Sequence, residues 1–144
     1  YRHPKYFGLL MERVKKLGVN ECFVPLGLVS TEDLAALMVH SSAIINPSIF
    51  EGWSTTVEEA KSLGKPIALS DIRVHREQNP PLANFFAPDD ANALATILWG
   101  MWNKPVADEE LAIQLARQAT DERRLGFATQ YQRIVLNALE QHSP

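Results

Sequence analysis

An α/β fold, a parallel sheet with flanking helices and a helical C-terminal extension, is predicted for this 144-residue chain from three observations. Short apolar runs of strand length alternate with segments whose apolar residues recur at helical spacing. The order strand, helix, strand recurs along the chain, which calls for parallel strands joined by helical crossovers. Beyond residue 91 only the helical spacing continues.

In order along the chain, Phe7, Leu10, Val14 and Leu17 are spaced as one helix face between Tyr6 and Leu17, and Gly18 follows as a C-cap. Cys22 to Leu26 has the length and composition of a strand. Ser30 with Asp33 three residues on resembles a capping box, and Leu34, Leu37 and Met38 give the helix it opens an apolar face. Ala43 to Ile45 reads as a buried second strand, ended by Asn46-Pro47-Ser48 because proline has no N–H for a ladder. A helix from about Thr55 to Leu63 stops at Gly64 and Pro66, and Ile67 to Leu69 forms the third strand. Val74 to Gln78 reads as a short helix, Pro80-Pro81 as a turn, and Ala83 to Phe86 as a fourth strand. Leu94, Ile97 and Leu98, then Leu111 and Leu115, then Phe127, Tyr131, Ile134, Val135 and Leu139 mark the terminal helices. The expected boundaries are 1–103 for the main domain and 104–144 for C-terminal helices.

Composition narrows the function. With 46% apolar and 22% charged residues, the chain is neither collagen-like, disordered nor a disulfide-stapled miniprotein. A net charge of -3 with no basic run gives no support to nucleic-acid binding. Cys22 has no second cysteine to pair with, which fits a reducing, cytoplasmic setting. No apolar stretch reaches the roughly 18 residues of a membrane span. The start at Tyr1-Arg2-His3-Pro4 has neither a signal peptide nor an initiator Met, so the chain is expected to begin inside a larger protein, N-terminally truncated.

In parallel α/β sheets ligands bind outside the carboxyl ends of the strands. That rule selects Leu26–Ser30, Asn46–Thr56 and Ser70–Glu77. The middle segment joins a loop carboxylate, Glu51, to a glycine that admits close backbone approach, Gly52, and to a helix start bearing Ser54 and Thr55. The free N–H groups of a first helical turn favour phosphate, while Glu51 suits neutral hydroxyls. A ligand carrying both fits the pair. With Val57, Ala60, Leu63 and Gly64 taken as the sheet-facing side, Glu58 is expected on the solvated face, and Glu59 at the border of the apolar one, able to reach a cleft.

Pro47-Ser48, Glu51-Gly52, Glu59-Ala60 and Gly64-Lys65-Pro66, with seven residues between the two glutamates, resemble the donor-site signature of the GT-B fold retaining glycosyltransferases, group 1 (family 4). The resemblance runs from about Leu17 to Asn103 and makes the sheet a Rossmann-like, partial C-terminal donor domain. It implies Glu51 as the catalytic residue facing the transferred sugar, Glu59 as the ribose ligand, and Gly52, Trp53, Ser54 and Thr55 around the diphosphate or sugar. Gly27, Leu28 and Val29 would line the base. The partners implied are a nucleotide-diphosphate sugar donor, with no other cofactor and no metal, and a saccharide or lipid-linked acceptor held by a missing N-terminal domain. The donor domain's first two strand and helix units, one carrying a basic pair for the diphosphate, have no counterpart here, so the fragment alone is expected to be inactive. Peripheral membrane contact in the intact protein is compatible with this. Two other readings stay open: a GT-B-type nucleotide-sugar epimerase, and a non-catalytic nucleotide-sugar binding or interaction module.

Other features have plainer readings. Arg73, His75 and Arg76 read as loop charges rather than a phosphate clamp, and Trp99 and Trp102 as core or interface packing. No serine sits in a nucleophile elbow, and Gly64-Lys65 lacks the rest of a P-loop.

Overall fold

The computed structural model describes residues 3–141; Tyr1 and Arg2, at which the expected boundaries begin, and residues 142–144, at which they end, lie outside the described residues. The chain forms two compact units, one up to Ala36 and one from Leu37.

In the first unit, helix α1 (Pro4–Lys16) has proline in its first turn and Arg13, Lys15 and Lys16 in its last. Both placements suit the helix, since proline lacks a donor that would be unpaired anyway and cations oppose the C-terminal dipole. Gly18, at φ 68°, follows it. Helix α2 (Thr31–His40), which begins in this unit and ends in the second, is capped as expected, the Asp33 N–H donating to Ser30 Oγ at 3.0 Å. Cys22 to Leu26 is not a strand. A strand exists only through bonds to a neighbour, the first unit offers none among its described residues, and Pro25 removes one donor. Phe23, Val24 and Leu26 are accordingly exposed.

The second unit is a parallel sheet of three strands, β1 (Ile44–Asn46), β2 (Ile67–Ser70) and β3 (Ala83–Phe86), in that spatial order. Between them come α3 (Thr55–Leu63) and α4 (Arg73–Gln78), and α5 (Ala91–Asn103) and α6 (Glu109–Gln141) follow. All four residues of the middle strand are fully buried, as a parallel strand covered on both faces requires. The register pairs Ile44 with Ile67 and Ala83, and Asn46 with Leu69 and Phe85. These residues therefore share one face. Val57 and Ala60 of α3 join Ile44, Ile67, Leu69 and Met38 in one apolar cluster. Asn46 is thus a polar residue in a core-facing register position at the end of β1, 8% exposed.

At its C-terminus α3 meets α6. Gly64 has φ 64°, and a Cβ there would lie 2.6 Å from the Ala112 carbonyl oxygen. Only glycine meets both demands. Beside it the buried Lys65 ammonium is paired with Glu109 in the first turn of α6. Beyond that contact every side chain described from Asp121 to Leu139 is exposed, including Phe127, Tyr131 and Ile134. Trp99 and Trp102 are 70% and 76% exposed, so neither belongs to the core. No helix among the described residues is long and apolar enough to cross a membrane.

Candidate functional site

The carboxyl ends of β1 and β2 and the start of α3 converge on one hydrogen-bonded group of side chains. Its centre is Asn46, the last residue of β1. The Asn46 side-chain oxygen accepts the Ser48 N–H at 3.1 Å, which directs Nδ2 to the other side, since a carbonyl oxygen must face a donor. There Nδ2 donates to Ser54 Oγ at 2.9 Å and to Glu51 Oε1 at 3.4 Å. The Ser48 hydroxyl donates to the same Glu51 oxygen at 2.8 Å. Glu51 Oε2 meets no donor among the described residues. Ser70, at the end of β2, donates its hydroxyl to the Ser48 carbonyl and so ties the loop to the next strand.

The turn into α3 is held from the opposite side by Gln78, the last residue of α4, 4% exposed. Its Nε2 donates to the Ser54 carbonyl at 2.8 Å and to Glu58 Oε1 at 2.9 Å, and its Oε1 accepts the Ser54 N–H at 3.3 Å. Ser54 therefore stands at the N-cap position without capping through its side chain. Its hydroxyl, N–H and carbonyl are all engaged internally. Among the described residues no acceptor meets the N–H groups of Gly52, Trp53, Thr55 or Thr56, the donors that remain for a ligand.

The expected phase of α3 is corrected. Glu58 is one-third exposed and bonded to Gln78 and to Lys61, 3.2 Å away, whereas Glu59 is the exposed carboxylate. The cause is Lys61, whose side chain is only 10% exposed and whose ammonium donates to the Gln78 carbonyl at 2.8 Å. A lysine with a buried stem moves the buried arc of the helix toward Glu58 and away from Glu59.

Around α4, His75 is fully buried rather than a loop charge. Its Nδ1–H donates to the Ser70 carbonyl at 2.8 Å, which leaves Nε2 as the lone-pair nitrogen, unpartnered among the described residues. Arg76 grips Asp71 in a bidentate pair at 2.6 and 2.7 Å and lies 3.8 Å over the Phe85 ring. The guanidinium hydrogen bonds hold the Asp71 carboxyl below the usual carboxylate range and raise Arg76 in turn. Arg76 is thereby committed internally and not presented as a phosphate clamp.

Of the residues singled out from the sequence, Glu51, Gly52, Trp53, Ser54, Thr55 and Glu59 lie on one loop and the helix it opens. Trp53 is half exposed. Gly27, Leu28 and Val29 belong to the first unit, with Gly27 at φ 72° and Leu28 fully exposed. Asn46 and Gln78 escaped sequence reasoning. The parity of β1, with Ile44 inward and Ile45 outward, marks Asn46 as inward-facing; no comparable signal marks Gln78. A groove of ≈ 400 Å³ between α3, α6 and Pro80–Leu82 lies elsewhere, since Gly64-Lys65 and Pro80–Leu82 precede their strands and so lie at the end away from Glu51.

Comparison with known proteins bears on this arrangement. The family described as glycosyl transferases group 1 matches residues 5–120. A protein of Mycolicibacterium hassiacum named MMP alpha-(1->4)-mannosyltransferase is 28% identical over 95 residues, covering 64% of this chain and 23% of the relative. The chain thus spans under a quarter of that relative's length. No solved structure matches at a significant level. With most of its length matched, the ends of two parallel strands and the α3 start included, the chain belongs to the group 1 glycosyl transferases.

Proposed function

We propose that this chain is the donor side of a GT-B fold, family 4 retaining glycosyltransferase, which in the intact protein moves a hexose from a nucleotide-diphosphate sugar to a saccharide or lipid-linked acceptor. The observation that carries the reading is the bonding of one carboxylate, Glu51, through Asn46 to the start of α3. A fixed acceptor for sugar hydroxyls then stands next to free backbone donors for an anionic group. Membership of the family and the mannosyltransferase relative support transfer of a sugar.

Glu51 is the catalytic residue in this reading, its Oε2 accepting a hydroxyl of the transferred sugar. The Gly52, Trp53 and Thr55 amides and the N-terminal dipole of α3 stabilise the negative charge that grows on the departing diphosphate, and Ser54 holds that turn in place. Glu59, exposed on α3, accepts the ribose hydroxyls, and Gly27, Leu28 and Val29 line the base. Residues 1–103 carry donor binding, 104–144 are supporting helices, and the acceptor is held by a domain outside this chain. The enzyme works in the cytoplasm, peripheral to the membrane where its acceptor is a lipid.

The test is made in the intact protein with UDP-glucose and GDP-mannose as donors. Glu51→Gln is expected to lower the rate of transfer by about 100-fold or more, and the wild-type product is expected to keep the donor's anomeric configuration by NMR. Isomerisation of the donor without transfer, or full activity of Glu51→Gln, overturns the reading.

A further inference from the structure

We propose that Asn46 is a positioning residue for this reaction: its buried amide joins Glu51 to the start of α3 and leaves a single carboxylate oxygen, Oε2, for the sugar. The inference rests on the donor-site reading above and adds to it the group that sets the geometry. A carboxylate on a loop has two equivalent oxygens and free rotation about its last torsion. Here that freedom is removed. Oε1 receives the Ser48 hydroxyl at 2.8 Å and Asn46 Nδ2 at 3.4 Å. The second hydrogen of the same Nδ2 goes to Ser54 Oγ at 2.9 Å, so one nitrogen atom sets the distance between the sugar-facing carboxylate and the turn whose amides face the diphosphate.

The residue type follows from the same geometry. Three groups surround the Asn46 side chain, one donor (Ser48 N–H) and two acceptors (Glu51 Oε1 and Ser54 Oγ). An amide, with one acceptor oxygen and two donor hydrogens, matches all three. Aspartate would keep the bond to Ser48 and set a second negative charge against Glu51. Serine would supply one donor where two are needed. A hydrophobic residue of similar size would fit the core-facing position and leave Glu51 held by Ser48 alone.

The test is a double-mutant cycle in the intact protein, with release of nucleoside diphosphate from UDP-glucose and GDP-mannose as the readout. Asn46→Asp is expected to lower kcat by about tenfold or more and Glu51→Gln by about 100-fold or more, and the double variant is expected to be no slower than Glu51→Gln. In the double variant the amide introduced at position 51 donates to the carboxylate introduced at position 46, so the bond is restored with its polarity reversed. A residue that only supports the core multiplies its penalty in the Glu51→Gln background. That result overturns the proposal, as does wild-type kcat in Asn46→Asp. Full activity of Glu51→Gln is a separate outcome that removes the donor-site reading and the positioning role with it.

A second measurement is independent of turnover and of whether Asn46→Asp folds. With 5-fluorotryptophan incorporated, the Trp53 fluorine line, assigned by its loss in Trp53→Phe, reports on the loop between Glu51 and Ser54. Asn46→Ser is expected to broaden or split that line while other tryptophan lines hold, and an unchanged Trp53 line overturns the proposal.

Discussion

Glu58 and Glu59 are adjacent in sequence and have opposite circumstances. Glu58 receives the Gln78 amide and the Lys61 ammonium, while Glu59 is exposed. Replacing Glu58 by Ala leaves a buried lysine without its counter-charge and a buried amide with one bond fewer, and should cost about 2 kcal/mol of stability by thermal or denaturant melting. Glu59→Gln should stay within about 0.5 kcal/mol in the same assay, yet weaken UDP or GDP binding by calorimetry about tenfold if it serves the ribose. Sequence periodicity places these two the other way round. It treats lysine as wholly polar, and the outcome turned on a methylene stem that packs like an aliphatic chain. Glu51 and Gly52 were legible because a loop after a strand and before a helix is a recognisable context. Gln78 acts across 24 residues to Ser54, and such reach leaves little local trace; Asn46, whose partners lie within 8 residues, was signalled by the parity of β1 alone.

Elements were more legible than residues. The helix Thr55–Leu63 and the strand Ala83–Phe86 have the boundaries that capping, glycine and proline signals place on them. The attachment of α6 was not foreseen, because it depends on Gly64, which as a helix terminator already had a sufficient local explanation. Gly64→Ala should cost at least about 2 kcal/mol, with about 1–2 from the left-handed backbone alone and the rest from the contact with Ala112. Faster amide exchange confined to the first turns of α6 is the accompanying sign. The same junction titrates. Lys65, through its hydrogen bond to Glu109, holds that carboxyl below the usual carboxylate range. A depressed carboxyl pKa means that the unfolded state binds the proton more readily, so the contribution is fully present above the ordinary glutamate pKa of about 4.3 and fades as pH falls through the lower folded-state value. Glu109→Gln should therefore reduce stability at neutral pH and flatten its decline under acid, in melting curves taken from neutral pH down to about 3.

At the scale of the whole molecule, the α/β class was readable because a parallel sheet imposes its alternation on the sequence. The strand expected at Cys22–Leu26 was not realised. Composition signals that a segment is able to pair, and pairing itself depends on a neighbouring strand. The second half of α6 extends the point, since Phe127, Tyr131 and Ile134 form a helical stripe that is legible in the sequence and exposed in the fold. On the proposed reading, in which the acceptor is held by a domain outside this chain, the 144-residue chain by itself is expected to release no nucleoside diphosphate from UDP-glucose or GDP-mannose with saccharide acceptors present. Release at a rate comparable to the intact protein's would show that the division of labour proposed above is misplaced.

The division at Ala36 also separates the chain's tryptophans from its thiol. Cys22, exposed, is in the first unit, and Trp53, Trp99 and Trp102 are all in the second. A dansyl-type acceptor attached to that one sulfur therefore receives energy from indoles of the other unit alone. Tryptophan emission becomes an optical ruler between the two halves of the chain, ready for titration with a nucleotide and requiring no engineered cysteine.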